Sequence, residues 1–243
     1  MTGLVQSELL KTKRSFARWS VLLMPLFAVL LASVLIEDRF VQACSLNWWC
    51  VIMLPAVLPI VCAALICKEQ KMSCFNTAIL PAPQKKTMLG KLAAGWIMLL
   101  GANAVLFLFT VLAGYFFESQ FSVLSVLTAA AVLTLAYAWQ VPACLLLIVR
   151  TGPAAGFFIS LAVNAVCSSQ PAAGSSFWII PFAVPVRLLA PILGINPNGV
   201  PLEAASPLWN PGVILPGILI VLAAAVLFAF LACRWSEKRG IDQ

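Results

Sequence analysis

The chain has 243 residues, of which 63% are hydrophobic and 9% charged, with a mean hydropathy of +1.03. A soluble domain carries roughly 25% charged residues, so the composition excludes a large soluble domain and describes a protein integral to a membrane. The net charge of +7 does not point to nucleic acid, because the basic residues cluster in short segments beside apolar runs, where the positive-inside bias accounts for them.

Residues 1–18 carry Lys11, Lys13, Arg14 and Arg18. Lys11, Arg14 and Arg18 share one helical face by their spacing, while Val5, Leu9 and Phe16 can face lipid. This pattern predicts an interfacial helix leading into the first span. Six apolar runs follow, to be compared with the roughly 20 residues that cross a bilayer core. The first, 19–36, ends at Glu37, Asp38 and Arg39; it is too long for a signal-peptide core and lacks a cleavage-like end, so it is expected to be retained. The second, 48–67, opens on Trp48 and Trp49, read as interface anchors. The others are 92–117, 126–149 (ending at Arg150), the short 153–169, and 211–233, which stops before Arg234, Lys238 and Arg239. With the N-terminus inside, thirteen of the fifteen Lys and Arg fall on the cytoplasmic side, leaving Arg39 and Arg187 outside. The predicted fold is an all-α integral membrane protein of six transmembrane helices in one domain, with both termini cytoplasmic.

Two connecting segments stand out. Residues 68–91, KEQKMSCFNTAILPAPQKKTMLGK, hold five lysines and one glutamate. Their middle, Phe75 to Leu80, is mildly amphipathic and is closed by Pro81 and Pro83, so it predicts a short cytoplasmic helix. Phe75 and Ile79 stand four apart on one helical face with Leu80 beside them, an apolar contact that a partner can bury. Glu69, Lys71, Lys85 and Lys86 can orient such docking; a loop facing anionic lipid accounts equally for the charge. Residues 170–210 carry seven prolines, too many for one spanning helix. Short helices that dip into the outer leaflet and pack over the outer ends of the spans are expected instead.

Chemistry is marked by absences. There is no histidine, no GxxxxGK[ST] phosphate loop, and no Asp, Glu, Lys or Arg inside the six runs. These absences argue against ATP hydrolysis by that route, against ion-coupled carriers and against intramembrane hydrolases. The chain is therefore not expected to be an enzyme. The eight cysteines, with no close CxxC pair, read as small apolar packing rather than a metal site; whether Cys44 and Cys50 pair is left open. The polar residues Asn103, Gln140 and Asn164, with Thr110 and Thr134, either hydrogen-bond between helices or line a transient substrate path.

The opening ELLKTKRSFARWSVLLMPLFAVLL resembles the start of ATP-binding-cassette permeases of the ABC-2 type. The stretch KEQKMSCFNTAILPAPQKKTMLGKL is similar to the first cytoplasmic loop of lantibiotic immunity permeases, with Glu69, Phe75, Pro81, Lys85 and Lys86 at the matching positions. The segment FWIIPFAVPVRLLAPILGINPNGVPL resembles the same family at Pro181 with Phe182, Pro185 with Arg187, and Asn198 with Gly199. Phe182 departs from the tryptophan expected there. The resemblance implies an ABC-2 permease of the type V exporter kind in a bacterial plasma membrane. It implies that residues 68–91 couple the chain to a separate ABC ATPase, which would hold ATP and Mg, usually beside a second, related permease or a second copy of this one. It further implies expulsion of a lantibiotic-type peptide, with Pro181, Phe182, Arg187, Asn198 and Gly199 on the outer surface that shapes its exit or capture. The rival readings are a permease for another amphipathic substrate, lipid or drug, and a sensory or scaffold subunit that moves nothing.

Overall fold

The computed structural model describes residues 2–71, 84–168 and 176–241, with side chains described over 2–66, 84–168 and 176–238. Among these the chain is helical, with one isolated antiparallel bridge, Ile195 to Pro201. The elements are α1 (Thr2–Thr12), α2 (Phe16–Leu35), α3 (Val41–Trp48), a π-turn (Trp49–Met53), α4 (Leu54–Lys71), α5 (Gln84–Phe116), α6 (Val123–Tyr137), α7 (Gln140–Thr151), α8 (Pro153–Cys167), α9 (Val184–Leu193) and α10 (Ile214–Ile241). Short 3-10 turns occur at Asp38–Phe40, Ser176–Ile179, Pro207–Trp209 and Pro211–Val213.

Four helical segments are long and apolar enough to cross a membrane: Phe16–Leu35, Asp38–Ile66, Gln84–Phe116 and Pro211–Lys238. The pair α6 and α7, bent by 40°, makes a fifth. Helix α8 has 15 residues, about 22 Å at 1.5 Å per residue, which is short of a core of roughly 30 Å. Length thus gives four or five spans where the apolar runs predict six. The run from 153 to 169 counts apolar residues, whereas crossing depends on how many of them are helical.

The second span differs from its expected start at residue 48. Its helix begins at Val41, because the polar residues there are buried and bonded rather than in a loop. Ser45 Oγ donates to Val41 O at 2.7 Å. Gln42 Nε2 donates to Thr110 O at 3.0 Å, and Gln42 Oε1 accepts from the backbone N–H groups of Gln120 and Phe121 at 2.9 and 3.0 Å. One glutamine therefore ties α3 to the end of α5 and to the turn into α6. This span is the centre of the bundle: 72% of its apolar window is buried, against 28–39% for the other three.

Two prolines explain the two irregularities of the helices. In the π-turn, Leu54 N–H bonds Trp49 O five residues back. The next donor would be residue 55, a proline with no N–H, so Cys50 O is left over; Tyr137 Oη donates to it from α6. In the bent span, Pro142 cannot bond Ala138 O, and the helix breaks there, as helices do at proline. Trp96 Nε1 of α5 donates to that carbonyl at 2.8 Å. Helix α5 passes close to α7 at Gly95, where an added Cβ would lie 2.6 Å from Val141 Cγ1.

Helices α2 and α5 pack around the central span, with α7 and α8 against α4, α10 against α5, α6 and α7, and α9 against α6 and α10. The bundle has a basic end, carrying residues 11–18, 85–91, 150 and 234–238, and a loop end, carrying residues 37–40, 117–122 and 194–212.

Candidate functional site

Three features could do work in this bundle: a polar belt at half-depth, a buried helix at the loop end, and an ionic cluster at the basic end.

The belt joins the spans in pairs. Trp49 is fully buried and donates through Nε1 to Asn103 Oδ1 at 2.9 Å, linking the π-turn to α5. It is not an interface anchor, because the helix starts earlier than the apolar run and carries Trp49 into the core. Gln140 Nε2 donates to Asn164 Oδ1 at 2.7 Å, and Asn164 Nδ2 donates to Ser160 O at 2.8 Å, linking α7 to α8. Both amides are sealed, at 1% and 0% exposure. Asn103, Gln140 and Asn164 are therefore joined to protein partners in this state and do not face open solvent. Beside them lies a small pocket of about 60 Å³, lined by Trp139, Gln140, Cys144, Ser160 and Phe182 among others. Cys44 and Cys50 are free thiols.

The loop-end segment is built on α9. This helix is apolar and buried for eight of its ten residues, the signature of a helix packed on all sides. Phe182, just before it, meets Trp139 edge-on at 4.5 Å between ring centres. Trp139 lies at the bend of the α6–α7 span, so Phe182 sits at the level of that bend, and α9 leads from there to the loop end, where Trp209 lies against Gly194. Pro181 and Phe182 are partly buried. Arg187 is 5% exposed, and its Nη1 donates to Leu208 O at 2.9 Å. Past α9 the chain makes a tight turn: Asn196 N–H bonds Val200 O, and Gly199 N–H bonds Asn196 O. Asn198 Oδ1 accepts from Val200 N–H at 3.2 Å. Gly199 sits at φ +84°, which a side chain adopts only under strain, and an added Cβ would lie 3.2 Å from Asn47 Nδ2. Asn198 and Gly199 thus shape a turn seated on the start of the central span. Arg187 lies deeper, apart from that turn.

The ionic cluster is at the basic end. Glu8 on α1 is buried, and its two oxygens meet Lys91 Nζ at 3.0 Å and Lys11 Nζ at 2.7 Å. Lys91 Nζ also donates to Leu65 O at 3.1 Å. Lys91 and Glu8 expose only 5% and 3% of their side chains. One glutamate thus holds the N-terminal helix to the last turns of α4 and the first turns of α5, the two helices that flank residues 72–83. Nearby, Lys85 Nζ lies 3.7 Å from Glu237 Oε1 at the end of α10, with both side chains exposed. Lys86 is exposed. Phe75, Ile79 and Leu80 lie outside the described residues, as does the side chain of Glu69.

Reading the sequence did not single out Glu8, Gln42, Trp96 or Tyr137. The signal for Glu8 was present: a lone acid on a basic amphipathic helix needs a partner. Pro55 and Pro142 inside apolar runs signalled carbonyls in need of donors from other helices.

A family model described as ABC-2 family transporter protein matches residues 4–170, well over half of the chain. No curated protein and no solved structure matches it. The match begins in α1 and runs through the ionic cluster, the polar belt and α8. This multi-pass membrane protein belongs to the ABC-2 transporter family, whose members are membrane subunits that generally work with an ABC ATPase.

Proposed function

We propose that the chain is the permease subunit of an ATP-driven exporter that expels a lantibiotic-type antimicrobial peptide from a bacterial plasma membrane. Its basic end faces the cytoplasm, as the positive-inside bias requires. The observation that carries the driven-permease reading is the Glu8–Lys91–Lys11 cluster with Leu65 O. It joins α1, α4 and α5, so a push on residues 68–91 reaches three helices as one unit. A push of this kind needs a seat for the ATPase, and Phe75, Ile79 and Leu80 supply the apolar anchors while Glu69, Lys85 and Lys86 orient the docking. Nucleotide and Mg belong to the ATPase. The peptide as substrate is supported by the resemblance of residues 68–92 and 177–202 to lantibiotic immunity permeases.

The test is protection. Expressed with its ATPase and any companion permease in a peptide-sensitive bacterium, the chain should raise the inhibitory concentration of at least one lantibiotic. It should leave amphipathic drugs unaffected. Protection against drugs alone would assign another amphipathic substrate, and ATPase recruitment without any export would assign a sensory or scaffold subunit.

A further inference from the structure

The loop end holds a buried cation with no acidic partner. Arg187 is 5% exposed, and its one hydrogen bond among the described residues runs from Nη1 to a neutral carbonyl, Leu208 O, at 2.9 Å. No carboxylate lies within ion-pair distance of it among the described residues. Glu203 is close in sequence to Leu208, but its side chain is exposed, and its backbone carbonyl accepts from Trp209 Nε1 at 3.0 Å. A single carbonyl does not neutralise a guanidinium, and an unpaired charge in a packed bundle is unfavourable. The remaining nitrogens, Nε and Nη2, have no partner among the described residues, and neither is among the fully sealed polar atoms.

Depth narrows what that group is. Phe182 lies at the half-depth bend against Trp139. Helix α9 then climbs about 15 Å over its ten residues, and Arg187 sits about 9 Å below its upper end. The guanidinium is therefore in the half of the bilayer on the loop side, within snorkelling reach of the headgroups. The segment that leads into α9 below it is apolar and exposed: Phe177, Ile179 and Ile180 are 66%, 54% and 41% exposed, and above it Trp209 is 43% exposed. Trp209 lies against Gly194 at the upper end of α9, and a half-exposed indole is the residue that marks headgroup level. Acyl chains fit the first three side chains, and an anionic oxygen pair fits the two free arms of the guanidinium fork.

We infer that Arg187 is the centre of a site for the phosphate of a membrane phospholipid, seated between α9 and the 203–209 turn, with its acyl chains along Phe177, Ile179 and Ile180. The inference needs only a membrane-embedded bundle and does not depend on the exported substrate.

The test uses the full-length purified chain, stripped of lipid and titrated in native mass spectrometry. Three probes are compared: phosphatidylglycerol, diglucosyl diacylglycerol (a lipid without phosphate), and inorganic phosphate as competitor. The wild type should retain one phosphatidylglycerol per chain in preference to the glycolipid. Arg187→Gln should weaken that retention about ten-fold, the scale of a lost charge-assisted contact. Arg187→Lys, which keeps charge but loses the fork, should fall between them. Equal retention of the two lipids by the wild type, or unchanged phosphatidylglycerol retention in folded Arg187→Gln, would overturn the inference. If Arg187→Gln does not fold, unchanged retention in folded Arg187→Lys would overturn it equally. Displacement by millimolar inorganic phosphate would assign a free-anion site and overturn the lipid.

Discussion

Trp49 and Trp139 are both buried indoles, yet only the first has a hydrogen-bond partner: Trp49 Nε1 donates to Asn103, and Trp139 Nε1 has none among the described residues. The difference predicts unequal responses to one chemical change. Trp49→Phe leaves Asn103 Oδ1 buried without that donor, a loss of about 1–3 kcal/mol. Trp139→Phe removes a donor that nothing accepts and keeps the edge-on contact with Phe182, so it should cost less. Thermal unfolding of both variants in detergent checks the order, and an equal loss would refute it. The ion pair of Glu8 and Lys91 behaves differently again. Removing one partner of a buried pair costs roughly 3–5 kcal/mol, whereas replacing both with apolar residues of similar size is often neutral. Glu8→Gln and Lys91→Met should each loosen α1, read as faster proteolysis near residue 12, and the double variant Glu8→Leu with Lys91→Met should recover most of the protection. A double variant as labile as either single change would mean that packing, not charge pairing, holds α1.

At the scale of elements, the bent α6–α7 span is where sequence and structure constrain each other most tightly. Pro142 withholds a donor from Ala138 O, and Trp96 of α5 supplies one. Trp96→Phe should therefore cost about 1–3 kcal/mol in the wild type by leaving that carbonyl unpaired. In a Pro142→Ala background the same change should cost much less, because residue 142 regains an N–H for Ala138 O. A double-mutant cycle measured by unfolding reads the coupling directly, and additive losses would show that the two groups are independent. These elements also show what was legible in the sequence. The helical, membrane-embedded character and the order of most of the apolar runs were present in composition and spacing. The start of the central span was not, since Gln42, Ser45 and Asn47 look like loop residues until their partners on α5 and at Gln120 and Phe121 are known. Nor was the burial of Arg187. Only the packing of Phe182 on Trp139 carries the following helix inward.

At the scale of the whole molecule, charge asymmetry and mechanical connection meet at the same end. The cluster of Glu8, Lys91 and Lys11 binds α1, α4 and α5 there, and Lys85 on α5 approaches Glu237 on α10 at the same end. If that end is cytoplasmic, a cysteine placed at Lys86 on a cysteine-depleted background should react with impermeant reagents only from the cytoplasmic side. Labelling from outside would invert the assignment. The pairs that make the end rigid were hidden in the sequence because they join residues 83 and 57 positions apart, Glu8 with Lys91 and Glu8 with Leu65 through that lysine, and no local pattern reports such distances. The charges themselves were legible, because thirteen of fifteen lie beside one set of helix ends.

The central claim is that a partner ATPase drives this bundle through residues 68–91, and one measurement tests it most directly. Phe75→Ala with Ile79→Ala removes the two apolar anchors, each worth of order 2 kcal/mol if it is a hot spot of the interface. The spans are untouched, so membrane insertion and expression should equal the wild type. Co-purification of the ATPase with the double variant, measured at equal expression, should fall sharply, and protection against the peptide should fall with it. Wild-type co-purification together with wild-type protection would contradict the account and place the driving contact elsewhere on the chain.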